Sequence, residues 1–162
     1  GGGVGCVGGW FNKEHSEGRA GPSPAKQAGH IVGRSHAKCG KYDQLDPETL
    51  IADAVRGALA DAALSAEQVD AMVVGTFNGG FVGQDFPSSL ALNAEPGLRF
   101  KPSLRVDNAC ATGSAAIYPG MQAIRAGDAD VVLFVASERR TALPTATVGA
   151  TRAQLRDVER TL

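Results

Sequence analysis

The sequence predicts an α/β domain: a mostly parallel β-sheet with helices on both faces. Three observations carry that reading. From residue 46 onward, segments of helical periodicity alternate with short apolar runs, in the order helix, strand, helix, strand, helix, strand. Such alternation implies crossover connections and a sheet covered on both sides. Two of the runs, Ala71-Met72-Val73-Val74-Gly75 and Val131 to Ala136, are continuously apolar, as strands buried on both faces are. The helix ahead of the first run also carries its own start signals.

Asp46 is a good N-cap, Pro47 suits the first helical position, and Glu48 meets the positive end of the helix dipole. Ile51, Ala54, Val55, Ala58, Leu59 and Ala62 then recur at helical spacing, which predicts a helix over roughly 47–63. Ser65-Ala66-Glu67-Gln68 reads as a capping box opening a single turn. Gly79, Gly80 and Gly83 make a connecting loop, and Pro87 to Asn93 a second short helix. Leu104-Arg105-Val106 reads as a strand ending at Asp107-Asn108. Residues 111–126 form the third helix, stopped by Gly127. Pro119 lies inside it; an interior proline costs roughly 3 kcal/mol, so a kink or a restart is expected there.

The flanks are weaker. Eleven of the 21 glycines fall in the first 40 residues, and residues 1–29 read as a poorly structured Gly/Pro-rich segment. His30-Ile31-Val32-Gly33 could open a short strand. Residues 30–146 form the expected domain, and 147–162 an unmatched tail with a weak amphipathic pattern through Leu155, Val158 and Leu162.

Composition bounds the function. A chain of 162 residues has room for one ordinary domain. Sixteen basic and 17 acidic side chains leave a formal net charge of −1, which argues against electrostatic binding of nucleic acid or an anionic membrane. No run reaches the length of a membrane-spanning helix, and the first residues lack the layout of a secretory signal. The three cysteines, Cys6, Cys39 and Cys110, cannot complete a disulfide framework, so a reducing, cytoplasmic setting is expected.

Cys110 is the candidate for chemistry. It stands in Val106-Asp107-Asn108-Ala109-Cys110-Ala111-Thr112-Gly113-Ser114, at the expected turn from strand to helix. Unpaired N–H groups at a helix start favour a thiolate and can hold a developing oxyanion. Small neighbours (Ala109, Ala111, Gly113, Ser114) would let an acyl group approach the sulfur. The competing reading is an inert cysteine packed beneath the helix.

The segment Asp107 to Ala116 resembles the nucleophile motif of the thiolases. Leu50-Ile51-Ala52-Asp53-Ala54, Val69-Asp70-Ala71, Gly75-Thr76-Phe77-Asn78 and Ala123 to Asp130 fall in that family's usual order, and Glu138 sits where thiolases carry a glutamate after the strand. The resemblance covers roughly residues 40–141 and is closest to acetyl-CoA acetyltransferases and sterol-carrier-protein-like thiolases. It implies a thiolase-like N-terminal half, truncated here, and a reversible Claisen condensation, or its thiolytic reverse, through an acyl group on Cys110. Coenzyme A thioesters would be substrates, with no permanently bound cofactor and no metal. A homodimer or tetramer is implied for the full-length protein.

The same resemblance calls for a histidine and a second cysteine from a C-terminal half. Their contexts do not occur in this sequence, and His15, His30 and His36 all precede the nucleophile, so no role is carried onto them. The 162-residue chain alone is therefore expected to be inactive. A β-ketoacyl synthase-like enzyme and a non-catalytic thiolase-like binding subunit are the alternatives. The sequence departs from the family where Ala63 replaces the usual glycine after the first helix, at Pro119, and at Ser137-Glu138-Arg139-Arg140.

Other patterns carry less. Gly3-Val4-Gly5-Cys6-Val7-Gly8 fits a dinucleotide-loop pattern but lacks the preceding strand and the later acid. Gly40-Lys41 lacks a phosphate loop's hydroxyl residue. His36 and Cys39 lack a second metal-ligand pair. Asn108 is expected to cap the cysteine helix or to shape the site, with Asp107 competing for that role. Glu138 reads as structural. The 79–89 loop reads as a connection that could touch substrate.

Overall fold

The computed structural model describes residues 4–11, 29–38, 45–77 and 86–138. Along the chain these form β1 (Val4–Phe11), β2 (His30–His36), α1 (Pro47–Ala62), β3 (Ala71–Thr76), α2 (Pro87–Asn93), β4 (Ser103–Asp107), α3 (Thr112–Ala126) and β5 (Val131–Glu138). The strands make one sheet in the order β2-β1-β5-β3-β4. β3 pairs in parallel with β4 and β5, whereas β1 pairs antiparallel with β2 and β5. Two antiparallel steps return β2 to the direction of β5, so four of the five strands run the same way. The predicted alternation from residue 46 is the observed one, and the predicted α/β class holds.

Both faces of the sheet are covered because the buried strands alternate their side chains. Met72 and Val74 of β3, with Leu133 and Val135 of β5, pack on Ile51, Val55 and Leu59 of α1 and on Ala91 and Leu98. Val73, Val132 and Phe134 face the other way, onto Ala116 and Ile124 of α3. The continuous apolar runs in the sequence reflect this two-sided burial.

The start of α1 is the one its sequence signals predict: Asp46 Oδ1 accepts from the Thr49 N–H at 2.6 Å. Its end is less comfortable. Ala63 adopts the left-handed conformation, φ 54° and ψ 41°, so that its own N–H and that of Leu64 can turn back onto the last helical carbonyls. That conformation costs a residue with a Cβ about 1–2 kcal/mol, part of which glycine would return as unfolded-state entropy. Ala63→Gly should therefore stabilise the domain by about 0.5–1 kcal/mol, read from the denaturant midpoint. No change, or a loss, would show that the Schellman-type end is not held in solution.

Residues 1–29 do not stay unstructured throughout: Val4–Phe11 forms β1, and this corrects the sequence reading there. Its glycines give it little intrinsic strand preference. Pairing on both sides, with β2 and with β5, supplies what local propensity lacks. Residues 12–28 and the tail from 139 lie outside the described residues. β2 in turn leans on α1: a Cβ on Gly33 would come within 2.7 Å of the Ala62 nitrogen and 2.8 Å of the Ala58 oxygen. The Arg34 N–H donates to Asp61 of the same helix at 2.8 Å.

Of the kink or restart expected at Pro119, the restart does not occur; one helix runs through it from Thr112 to Ala126. The buried stripe Thr112, Ala116, Gly120 and Ile124 clamps both halves of α3 to the sheet, and that burial outweighs the one helical hydrogen bond the proline removes. Among the described residues no helix is long and apolar enough to cross a membrane.

Candidate active site

Cys110 lies in a single 3-10 turn, Ala109–Ala111, between the end of β4 at Asp107 and the start of α3 at Thr112. It is exposed and unpaired, so the buried-cysteine reading does not hold. The site thus sits beyond the carboxyl ends of the parallel strands β3 and β4, which meet in register at Thr76 and Asp107. Open α/β sheets bind their ligands at such ends.

The turn is strained. Ala109, immediately before the cysteine, has φ 46°, a left-handed conformation in a residue with a Cβ. Conformations of this kind persist only where the surroundings hold them. Here the holding group is the hydroxyl of Thr112. It accepts from the Asn108 N–H at 2.9 Å and lies within donating distance of Ala109 O at 2.8 Å and Thr76 O at 2.9 Å. The Thr112 side chain reaches this position because Gly75 of β3 leaves room for it; a Cβ there would come within 2.7 Å of Thr112 Cγ2.

A second polar cluster braces the same strand ends. Arg105 donates through Nη2 to Asp107 Oδ2 at 2.8 Å and through Nε to Asp107 Oδ1 and Thr76 Oγ1, both at 3.2 Å. The Thr76 hydroxyl completes it by donating to Asp107 Oδ1. The carboxylate three positions before Cys110 is thereby paired with a guanidinium. Beside the turn Gly113 and Ser114 are exposed, and among the described residues a Cβ on Gly113 would meet nothing within 4 Å.

Neither Asn108 nor Asp107 caps the helix, which corrects the capping alternative of the sequence expectation for both. Asn108 makes no side-chain cap bond and contributes its backbone N–H instead, while Asp107 is engaged by Arg105 and Thr76. Thr112 and the Arg105–Thr76–Asp107 cluster were not visible as functional from the sequence. The available signal was Gly75, since a glycine inside a buried strand often marks a close approach. Glu138 is the last residue of β5. His30 and His36 lie on β2, at the opposite edge of the sheet from β4; four strand spacings of about 4.8 Å place them roughly 19 Å away. His15, Cys39, Gly40-Lys41 and loop residues 79–85 lie outside the described residues. The glycines of the dinucleotide-like pattern fall largely within β1.

Residues 30–161 match the family model described as thiolase, N-terminal domain. The chain belongs to the thiolase family. An acetyl-CoA acetyltransferase of Methanothermobacter thermautotrophicus is 35% identical over 112 residues, which are 68% of this chain and 29% of that protein. One from Methanocaldococcus jannaschii is 35% identical over 118 residues, 72% of this chain and 30% of that protein. This thiolase chain thus spans about three-tenths of the length of the curated relatives it matches. Among solved structures, the priming β-ketosynthase of a polyketide biosynthetic pathway superposes with a TM-score of 0.53 at 25% identity, covering 61% of this chain and 29% of that one.

Proposed function

We propose that the protein carrying this chain is a thiolase-type acyltransferase in which Cys110 accepts the acyl group. The observation that carries the reading is the exposed thiol on a strained turn between β4 and α3, with the exposed Gly113 and Ser114 following it. The Cys110 sulfur attacks the thioester carbonyl of an acyl-CoA. The carbon–sulfur bond to coenzyme A breaks, coenzyme A leaves and takes up a proton, and the acyl group remains as a thioester on Cys110. A second acyl-CoA then loses an α-proton, and its carbanion attacks the acyl-cysteine and releases Cys110. Amides of the first turn of α3 are the candidate donors to the oxyanion formed in each attack. The substrates are coenzyme A thioesters, with no resident cofactor; the assembly is a homodimer or tetramer, and the setting is cytoplasmic. The identities with two acetyl-CoA acetyltransferases favour thiolase over β-ketoacyl synthase chemistry.

Incubation of the protein with acetyl-CoA should leave one acetyl group on the peptide containing Cys110, and Cys110→Ala should abolish it. In the same preparation Cys110 should react with iodoacetamide faster than Cys6 or Cys39. An acetyl group on another residue, or equal alkylation of the three cysteines by mass spectrometry, would sink the assignment. A strict requirement for a malonyl thioester in the condensation would move it to the β-ketoacyl synthase reading.

A further inference from the structure

Thr112 is the one buried polar side chain among the described residues, with 7% of its surface exposed. A valine would fill the same space beside Gly75, so packing alone does not account for a hydroxyl there. Its oxygen is bonded on both sides of the strained residue: the Asn108 N–H precedes Ala109, and the Ala109 carbonyl follows it. Tying both to one atom holds the peptide groups on either side of the Asn108–Ala109 unit and so sets the direction in which the chain leaves towards Cys110. The third partner, Thr76 O, anchors that atom to the end of β3, 36 residues away in sequence.

We infer that Thr112 is a positioning residue for Cys110: its hydroxyl latches the left-handed turn at Ala109 to the end of β3 and so aims the thiol. The inference rests on the acyl-transfer reading above. It does not make Thr112 a catalytic residue, because the hydroxyl accepts from one backbone N–H, shares its single proton between two backbone carbonyls and is buried beneath the turn. Misplacing a nucleophile by about 1 Å can cost on the order of 100-fold in rate, whereas a hydroxyl buried beneath the turn offers no group to ground-state binding of acyl-CoA.

The test compares Thr112→Val, Thr112→Ala and Thr112→Ser in the protein as it exists, reading acetylation of Cys110 against acetyl-CoA concentration, with thermal melts to establish folding. In Thr112→Val the rate at saturation should fall about 10- to 100-fold, with the half-saturating concentration little changed. Thr112→Ser keeps the hydroxyl and loses the methyl, so it should stay within about 3-fold of the parent although it is also destabilised. Thr112→Ala should show the same loss as the valine variant and decides the matter if that variant does not fold. Acetylation of either hydroxyl-free variant at the parent rate overturns the inference, as does a serine variant as slow as the valine one. Unfolding of both hydroxyl-free variants assigns the hydroxyl to the fold alone and overturns it too. A parent protein that takes no acetyl group on Cys110 removes the acyl-transfer reading itself, and this inference with it.

Discussion

Gly120→Val should destabilise the domain by about 3 kcal/mol, enough to take most of the stability of a small domain. In an exposed helix, replacing a glycine by a larger residue improves helix propensity by a few tenths to about 1 kcal/mol. Here the sign reverses because α3 lies hard against β5. A Cβ on Gly120 would meet the ring of Phe134, with Cε1 at 2.9 Å, and Cγ1 of Val132 at 3.1 Å. Those two side chains are buried in the middle of the sheet, between neighbouring strands, and cannot give way. Shortening the ring should relieve the clash: Gly120→Val with Phe134→Leu should lose at least about 1 kcal/mol less than the two single changes added together. Urea unfolding of the four proteins measures this. Additive losses, or a loss below about 1 kcal/mol for the single change, would mean that α3 is not seated as closely as the geometry requires.

The consequence extends to Cys110. α3 begins at Thr112, and the bond from Thr112 to Thr76 O is what joins the start of that helix to the sheet. A helix pushed off β5 at Gly120 carries Thr112 with it, so residual folded protein should also show altered alkylation of Cys110. Packing in the core and aim at the site are one mechanical problem, solved by the stripe Thr112, Ala116, Gly120 and Ile124.

What could be read from the sequence was whatever depends on near neighbours. The Asp46 cap, the helical spacing of α1 and the runs of β3 and β5 are local, and each element forms where its residues predict. The position of Cys110 between strand and helix was legible for the same reason. β1 was not, because its stability comes from partners distant in sequence, from Phe11↔His30 to Cys6↔His36 on one side and from Phe11↔Val131 to Val4↔Glu138 on the other. The latch was hidden too: it joins a hydroxyl to a carbonyl 36 residues earlier, and nothing beside Thr112 signals it. Of the two roles open to Asn108, cap or shaper of the site, the cap falls because cap preference is judged one residue at a time; the turn is held by the pairing of Asp107 with Arg105 and by the seat of Thr112. Pro119 shows the reverse case, a strong local signal overridden by burial on both sides of it.

Asp70→Ala should cost about 2–3 kcal/mol and leave Cys110 as reactive as before. Asp70 Oδ2 accepts from the Asp130 N–H at 2.8 Å and the Val131 N–H at 2.9 Å, while the Asp70 N–H donates to Val131 O at 2.9 Å. One carboxylate thereby ties the start of β5 to the start of β3, and its removal strands two amides, one of them half-buried. Asp70→Asn keeps an acceptor oxygen and should cost only about 1 kcal/mol. These tied starts are the amino ends of the parallel strands, at the opposite end of the sheet from Cys110. Stability and reactivity should therefore separate: a lower melting temperature with unchanged iodoacetamide alkylation in the folded protein. A parallel fall in both would mean that the strand starts and the Cys110 turn are coupled through the length of β3, and the latch at Thr112 would then not be the local device its geometry describes.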